Sequence, residues 1–215
     1  MIDAAIFDMD GVLIDSEQVW DDVRERLAKE RGGRWHEGAQ RAMMGMSSPE
    51  WSRYMHEEVG LPESPEEINR EVVRQMLVRY ADGPPWLPGA LDAVHRIAAS
   101  GWPLAIASSS NRELIDAVIE AGQMAELFRA TVSSEEVPRG KPAPDVYLET
   151  ARRLGVDPRR CVAIEDSHSG IRSAKGAGMR CVAIPNIHFP PGDALSEADV
   201  EIGSIDELTV DVLAG

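Results

Sequence analysis

Short apolar runs, each cut off by acids, hydroxyls or glycine, alternate along this chain with stretches of helical periodicity. The first, Ala4-Ala5-Ile6-Phe7, stops at Asp8-Met9-Asp10-Gly11. Others cover Pro103 to Ala107, Ala130 to Val132, Cys161 to Ile164 and Cys181 to Ile184, with a weaker one at Val200 to Ile202. A brief apolar run without alternation reads as a strand buried on both faces. Between the runs, Leu91, Val94, Ile97 and Ala98 share one helical face. Leu114, Ile115, Val118 and Ile119 do the same, as do Val146, Tyr147, Ala151 and Leu154. Strands alternating with helices pair in parallel through right-handed crossovers, so the expected class is α/β, with a Rossmann-like open parallel sheet as its core.

The rhythm breaks once. From about Glu17 to Asp82 there is no β-rich run, and helical stretches appear at Val19 to Glu30, Glu50 to Val59 and Glu66 to Tyr80. Gly32-Gly33, Gly45, Gly60 and Pro62 punctuate them, and Gly83-Pro84-Pro85 ends the segment. This predicts a core of residues 1–15 and 84–215 with an all-helical cap, 16–83, inserted after the first strand. Ligands of open α/β sheets bind outside the carboxyl ends of the strands, and the insert leaves from one such end, so it should cover the site.

The chain is acidic, with 22 basic against 37 acidic residues in 215 and a formal charge of -15. Such a surface opposes nucleic acid and anionic membrane, which need a basic face. It leaves room for one small phosphate in a pocket. No apolar run approaches the roughly 18 residues of a membrane span, and the amino terminus lacks the basic region of a signal peptide. Cys161 and Cys181 form no metal-spaced pair and read as small buried hydrophobes. A reducing cytoplasm is the default location.

Chemistry gathers at the strand ends. Asp8 and Asp10 stand two apart after the first run, Ser108-Ser109-Ser110-Asn111 follows the second, and Glu165-Asp166-Ser167 follows the fourth. Lys141 sits in Gly140-Lys141-Pro142-Ala143-Pro144, which two prolines stiffen. Parallel strands would bring four carboxylates, a hydroxyl and a lysine to one rim. Four acids together require a proton or a cation, and an all-oxygen set favours Mg²⁺. Metal, lysine and hydroxyl suit a phosphoryl group; one aspartate can attack phosphorus while another exchanges protons with leaving oxygen and water.

The order of these parts resembles the haloacid dehalogenase-like superfamily, in its β-phosphoglucomutase and sugar-phosphatase branch. The stretch Asp8-Met9-Asp10-Gly11-Val12-Leu13-Ile14-Asp15-Ser16 is similar to that branch's first motif, Ser108 to the second, Lys141-Pro142-Ala143-Pro144-Asp145 to the third, and Glu165-Asp166-Ser167 with Gly170-Ile171 to the fourth. The resemblance implies Asp8 as nucleophile and Asp10 as general acid/base, its backbone carbonyl also on the metal. Ser108 and Lys141 would hold the transferring phosphoryl group. Asp8, Asp10, Glu165 and Asp166 would form the Mg²⁺ site, Glu165 binding directly or through water. Asp15 is read as an orienting or hinge residue. Ser109 would donate its backbone N–H to phosphate at a helix start.

In the resembling mutases a cap histidine and an arginine after a cap glycine loop grip a distal phosphate. Here Trp20 and, in Gly45-Met46-Ser47-Ser48, a serine stand in those places. Trp20 reads equally as a stacking surface for a sugar and as cap packing. Gly45, Ser47 and Arg53 complete the candidate substrate contacts of the cap; for Arg53 a solvated helix face is the stronger reading, as solvent is for His168. The expected activity is Mg²⁺-dependent hydrolysis of a small phosphorylated metabolite of the sugar-phosphate kind, through an aspartyl phosphate. A β-phosphoglucomutase-type mutase is the alternative, and a non-catalytic phospholigand-binding protein the alternative of another class. The expected state is a monomer or weak homodimer.

Overall fold

The computed structural model describes residues 2–36, 38–43, 46–186 and 190–215. Among these the sheet has six strands, all parallel: β1 (Ala4–Phe7), β2 (Leu104–Ser108), β3 (Phe128–Ser133), β4 (Cys161–Glu165), β5 (Arg180–Ala183) and β6 (Val200–Glu201), in the order β3-β2-β1-β4-β5-β6. The chain winds outward to β3 on one side of β1, then returns to build β4 to β6 on the other. The gap between β1 and β4 is therefore the switch point where such sheets open a crevice. Asp8 N–H donates to the Ile164 carbonyl at 2.9 Å, locking the end of β1 to the end of β4.

Alternate residues of each strand feed two cores. Ala5, Phe7, Leu104, Ile106, Val162 and Ile164 pack with α5 (Ala90–Ala98), α6 (Arg112–Ala121) and α9 (Val210–Ala214). Ala4, Ile6, Ala105, Ala107, Cys161, Ala163 and Cys181 face α7 (Asp145–Leu154) and α8 (His168–Gly176). The second face is mostly alanine and cysteine, which lets α7 and α8 approach the sheet closely. Both cysteines are free and buried. Each large aliphatic side chain buried in this way contributes about 1.5–3 kcal/mol before chain entropy is subtracted.

Among the described residues, four helices lie between β1 and α5 in sequence: α1 (Glu17–Glu30), α2 (Gly38–Met43), α3 (Ser48–Glu57) and α4 (Pro65–Tyr80). Helices α3 and α4 start earlier than apolar periodicity suggests, because Ser47 with Glu50 and Ser64 with Glu67 form capping boxes ahead of the first apolar residue. Six-residue α2 is too short to show a period. The apolar interior of these helices (Val23, Leu27, Met55, Ile68, Met76) is continuous with the sheet face through Met9, Val12, Leu13 and Ile14. The two crossings are bonded together: Asp15 N–H donates to Pro85 O at 2.8 Å, and Leu87 N–H to Leu13 O at 3.0 Å. None of the described helices is long and apolar enough to cross a membrane.

Candidate active site

Three strand ends and one loop build the site. Asp8 follows β1, Ser108 closes β2, and Glu165 and Asp166 span the end of β4. Lys141 comes from the loop before α7 and points back under the sheet rim. Its Nζ lies 2.9 Å from Asp8 Oδ1 and 2.6 Å from Glu165 Oε1, and donates to the Ala107 carbonyl at 3.1 Å. Tyr147 on α7 donates its hydroxyl to the same Glu165 oxygen at 2.7 Å. The other Glu165 oxygen accepts from Asp166 N at 3.2 Å and from the Ser167 hydroxyl at 3.2 Å. Ser167 is also the N-cap of α8, accepting from Gly170 N at 3.0 Å, so one turn positions the acids and starts the helix.

Two glycines make room. Gly11, at φ +81°, would place a Cβ 1.9 Å from Asp166 Oδ2, and a Cβ on Gly170 would stand 1.9 Å from Glu165 Oε2. Carboxylate oxygens of Asp8, Glu165 and Asp166 lie within 4.8 Å of one another, all buried. Burial, then repulsion from Glu165, pushes the Asp8 carboxyl up to about 8. Asp166 is raised well above the carboxylate range, by burial first and then by Glu165 and Asp8. Burial disfavours the Lys141 ammonium, but Asp8 and Glu165 outweigh it and leave its pKa raised. Three close acids facing one lysine, with oxygen as their sole donor type, fit a hard divalent cation.

Asp10 is held apart from this trio. Its Oδ1 accepts from the Ser16 hydroxyl and from Trp20 Nε1 at 3.4 Å. Its Oδ2 accepts from Ser110 Oγ at 2.7 Å and Ser108 Oγ at 3.4 Å. The paired aspartates thus occupy unlike surroundings, one among acids and the other among hydroxyls. Ser110 had no place in the motif reading, although the run of three serines was its signal.

Asp8, Asp10, Lys141, Asp166, Ser109 and Trp20 line a single cavity of about 560 Å³. Ser108 is fully buried behind it, its Oγ accepting from Ser110 N at 3.0 Å. Ser109 faces the cavity, but α6 begins only at Arg112, with Asn111 as N-cap. The expectation that Ser109 marks the helix start is therefore corrected: the loop after β2 runs on through Ser110, whose carbonyl accepts from Ser133 Oγ at 2.6 Å. Ser47 is buried and its N–H and hydroxyl both donate to Glu50, at 2.8 and 2.6 Å, so it caps α3. Arg53 lies on the exposed face of α3 and does not border the cavity. Gly45 lies outside the described residues. His168 is exposed at the cavity rim, 2.8 Å from Arg172 Nη1.

From the insert, the cavity wall includes Glu17, Arg24, Arg41, Met43, Met46 and Trp51. Trp20 and Trp51 pack with ring centroids 5.8 Å apart, which is the packing reading of Trp20, and Trp20 also borders the cavity. Arg24 escaped the motif reading, since charges on an amphipathic helix normally face solvent.

The chain is similar to haloacid dehalogenase-like hydrolases over residues 2–178. It is 35% identical to hexitol phosphatase B of Escherichia coli over 217 residues, covering 99% of this chain and 96% of the relative. A crystal structure of a CbbY variant from Rhodobacter sphaeroides in complex with xylulose-(1,5)bisphosphate matches with a TM-score of 0.88 at 27% identity, covering 99% of each chain. CbbY from Rhodobacter sphaeroides with phosphate matches with a TM-score of 0.87 at 28% identity over the whole of both chains. With the sheet order, the acid trio and these likenesses in agreement, the chain belongs to the haloacid dehalogenase-like hydrolases.

Proposed function

We propose that this chain is a Mg²⁺-dependent phosphatase acting on a small phosphorylated metabolite of the sugar-phosphate class, through an aspartyl phosphate. The observation that carries the reading is the separation of Asp8 from Asp10. Asp8 is paired with Lys141 and belongs to the acid trio, whereas Asp10 accepts from hydroxyl and indole donors outside it. Two carboxyls in unlike environments can divide nucleophile from acid/base. The similarity to hexitol phosphatase B supports the substrate class.

Asp8, Glu165 and Asp166 would hold the cation, with the backbone of Asp10 beside them. When bound, Mg²⁺ supplies charge to offset the phosphoryl oxygens and the clustered acids. Asp8, held as the carboxylate by the cation and Lys141, would attack phosphorus through Oδ, while Asp10, protonated before the step, gives that proton to the departing alkoxide oxygen. Asp10 then takes a proton from water, which attacks phosphorus, releases phosphate and frees the Asp8 carboxylate. Proton transfer of this kind contributes typically about 10²–10⁴-fold. Lys141 neutralises Asp8 and the phosphoryl group, and the loop bearing Ser108 and Ser109 offers hydrogen-bond donors to the same group.

The test is hydrolysis of p-nitrophenyl phosphate by the purified protein with Mg²⁺. Turnover should vanish with a chelator and in Asp8→Asn. Turnover that persists in Asp8→Asn would overturn the covalent route. Faster isomerisation of β-glucose 1-phosphate than phosphate release would replace hydrolase by mutase.

A further inference from the structure

The cavity that Lys141 lines is also lined by a buried cation, Arg24, with no acidic side chain bonded to it among the described residues. Arg24 is 7% exposed, and its Nε has no hydrogen-bond acceptor. Its guanidinium carbon lies 4.5 Å from the Trp20 ring centroid and 4.8 Å from that of Trp51. Resting on the phosphatase reading, we infer that Arg24 selects substrates bearing an anionic group, carboxylate or second phosphate, at the end remote from the phosphoryl group being removed.

Two indoles lie against the guanidinium as cation–π partners, but neither accepts an in-plane hydrogen bond. The N–H groups lie in the plane and demand acceptors, and a buried charge left without them is costly. The acids whose fields reach Arg24 are Glu17, Asp21 and Asp10. Asp10 is engaged by Ser16, Ser110 and Trp20. Among the described residues none of the three makes an ion pair or hydrogen bond with Arg24. Glu17 also borders the cavity, and burial lifts its carboxyl to about 7, which weakens it as a fixed counter-ion at neutral pH. Arg41 also lines the cavity and adds a second positive charge. A carboxylate or phosphate entering the cavity would bring the guanidinium the acceptor oxygens it lacks, in a charge-assisted pair.

The test compares matched phosphates of three to six carbons: alditol phosphates, the aldonate phosphates with carboxylate replacing the far hydroxymethyl, and alditol bisphosphates. At one length or more, an aldonate or bisphosphate should exceed its alditol partner by at least about tenfold in kcat/KM, carried by KM. The better of the two identifies the anion. In Arg24→Met that ratio should fall to within about twofold, and Arg24→Lys should keep part of it. Because the readout is a ratio on one protein, a general loss of folding or chemistry cancels, and a purely structural role for Arg24 would leave the ratio intact. Equal rates for charged and neutral partners at every length, or a preference that survives Arg24→Met, overturns the inference. If p-nitrophenyl phosphate and all pairs go unhydrolysed, the phosphatase reading fails separately. The same ratios are then read as Kd values by calorimetry with Mg²⁺, where equal affinities overturn the inference and a selective loss in Arg24→Met upholds it.

Discussion

Lys141 places its Nζ 2.6 Å from Glu165 Oε1 where neither side chain meets solvent, their exposures being 2% and 0%. The same ammonium serves Asp8 at 2.9 Å. Removing one partner from a buried charge cluster leaves the others uncompensated, at a cost of about 3–5 kcal/mol. Lys141→Met should lose that much in urea unfolding at unchanged m-value, together with all turnover. Lys141→Arg should not restore activity, because a planar fork cannot replace a point charge shared by Asp8, Glu165 and the Ala107 carbonyl. A loss below about 1 kcal/mol would show that the pairs are dispensable.

Gly170 and Gly176 sit on one helix, α8, and should respond to alanine with opposite signs. Alanine in a helix is normally better than glycine by about 0.8–1 kcal/mol. At Gly176 the nearest atom to a new Cβ is Pro144 Cβ at 3.6 Å, an ordinary contact. Gly176→Ala should therefore be neutral or stabilising. At Gly170 both Glu165 oxygens would lie within 2.0 Å of the Cβ. Gly170→Ala should displace Glu165, destabilise the fold and weaken Mg²⁺ binding by at least about tenfold in calorimetry. Equal effects of the two substitutions would contradict the placement of Glu165.

The strands and the acids at their ends were legible because burial on two faces leaves an uninterrupted apolar run, and its end is where polarity returns. Asp8, Asp10 and Asp166 stood out through that contrast, and Lys141 through its place in Gly140-Lys141-Pro142-Ala143-Pro144. Arg24 did not, since its position on α1 looks like any solvated charge until Trp51 of α3 folds over it. Tyr147 fits a helical apolar face, and only the packing of α7 against β2 and β3 turns its hydroxyl toward Glu165. Ser47 read as a substrate contact because it stands in the glycine loop where the resembling mutases carry an arginine, but a glutamate three residues later commits it to capping. Residues that act through distant partners carry little local signal.

Asn111 ties the helical insert to the sheet. Its Oδ1 accepts from Ser48 Oγ at 2.9 Å, and its Nδ2 donates to Asn69 Oδ1 at 3.1 Å and to Glu135 Oε1 at 2.7 Å. Asn111→Ala strands these partners and should cost about 1–3 kcal/mol. Combined with Ser48→Ala, the losses should fall short of additive by at least about 0.5 kcal/mol. Strict additivity would mean that the Ser48 bond contributes nothing to the junction.

Metal-free protein should weaken as pH rises, and Mg²⁺ should reverse this. Asp8 titrates at about 8 in the folded chain against an ordinary value of 3.8, and Asp166 is raised as well. Between those values the folded state binds more protons than the unfolded one, so stability falls as pH climbs from about 4 through about 8. Lys141, raised above its ordinary value, stays charged across this window and adds no slope. A divalent cation replaces the protons as the acids' counter-charge, so it must displace them at low pH but binds freed carboxylates at high pH. The rise in Tm on adding Mg²⁺ should thus be larger at pH 8 than at pH 5, with protons released on binding near neutrality. Calorimetry in two buffers of different ionisation enthalpy measures that release. A Mg²⁺ effect on Tm that is the same at both pH values, with no proton release, would remove the acid trio from the metal site.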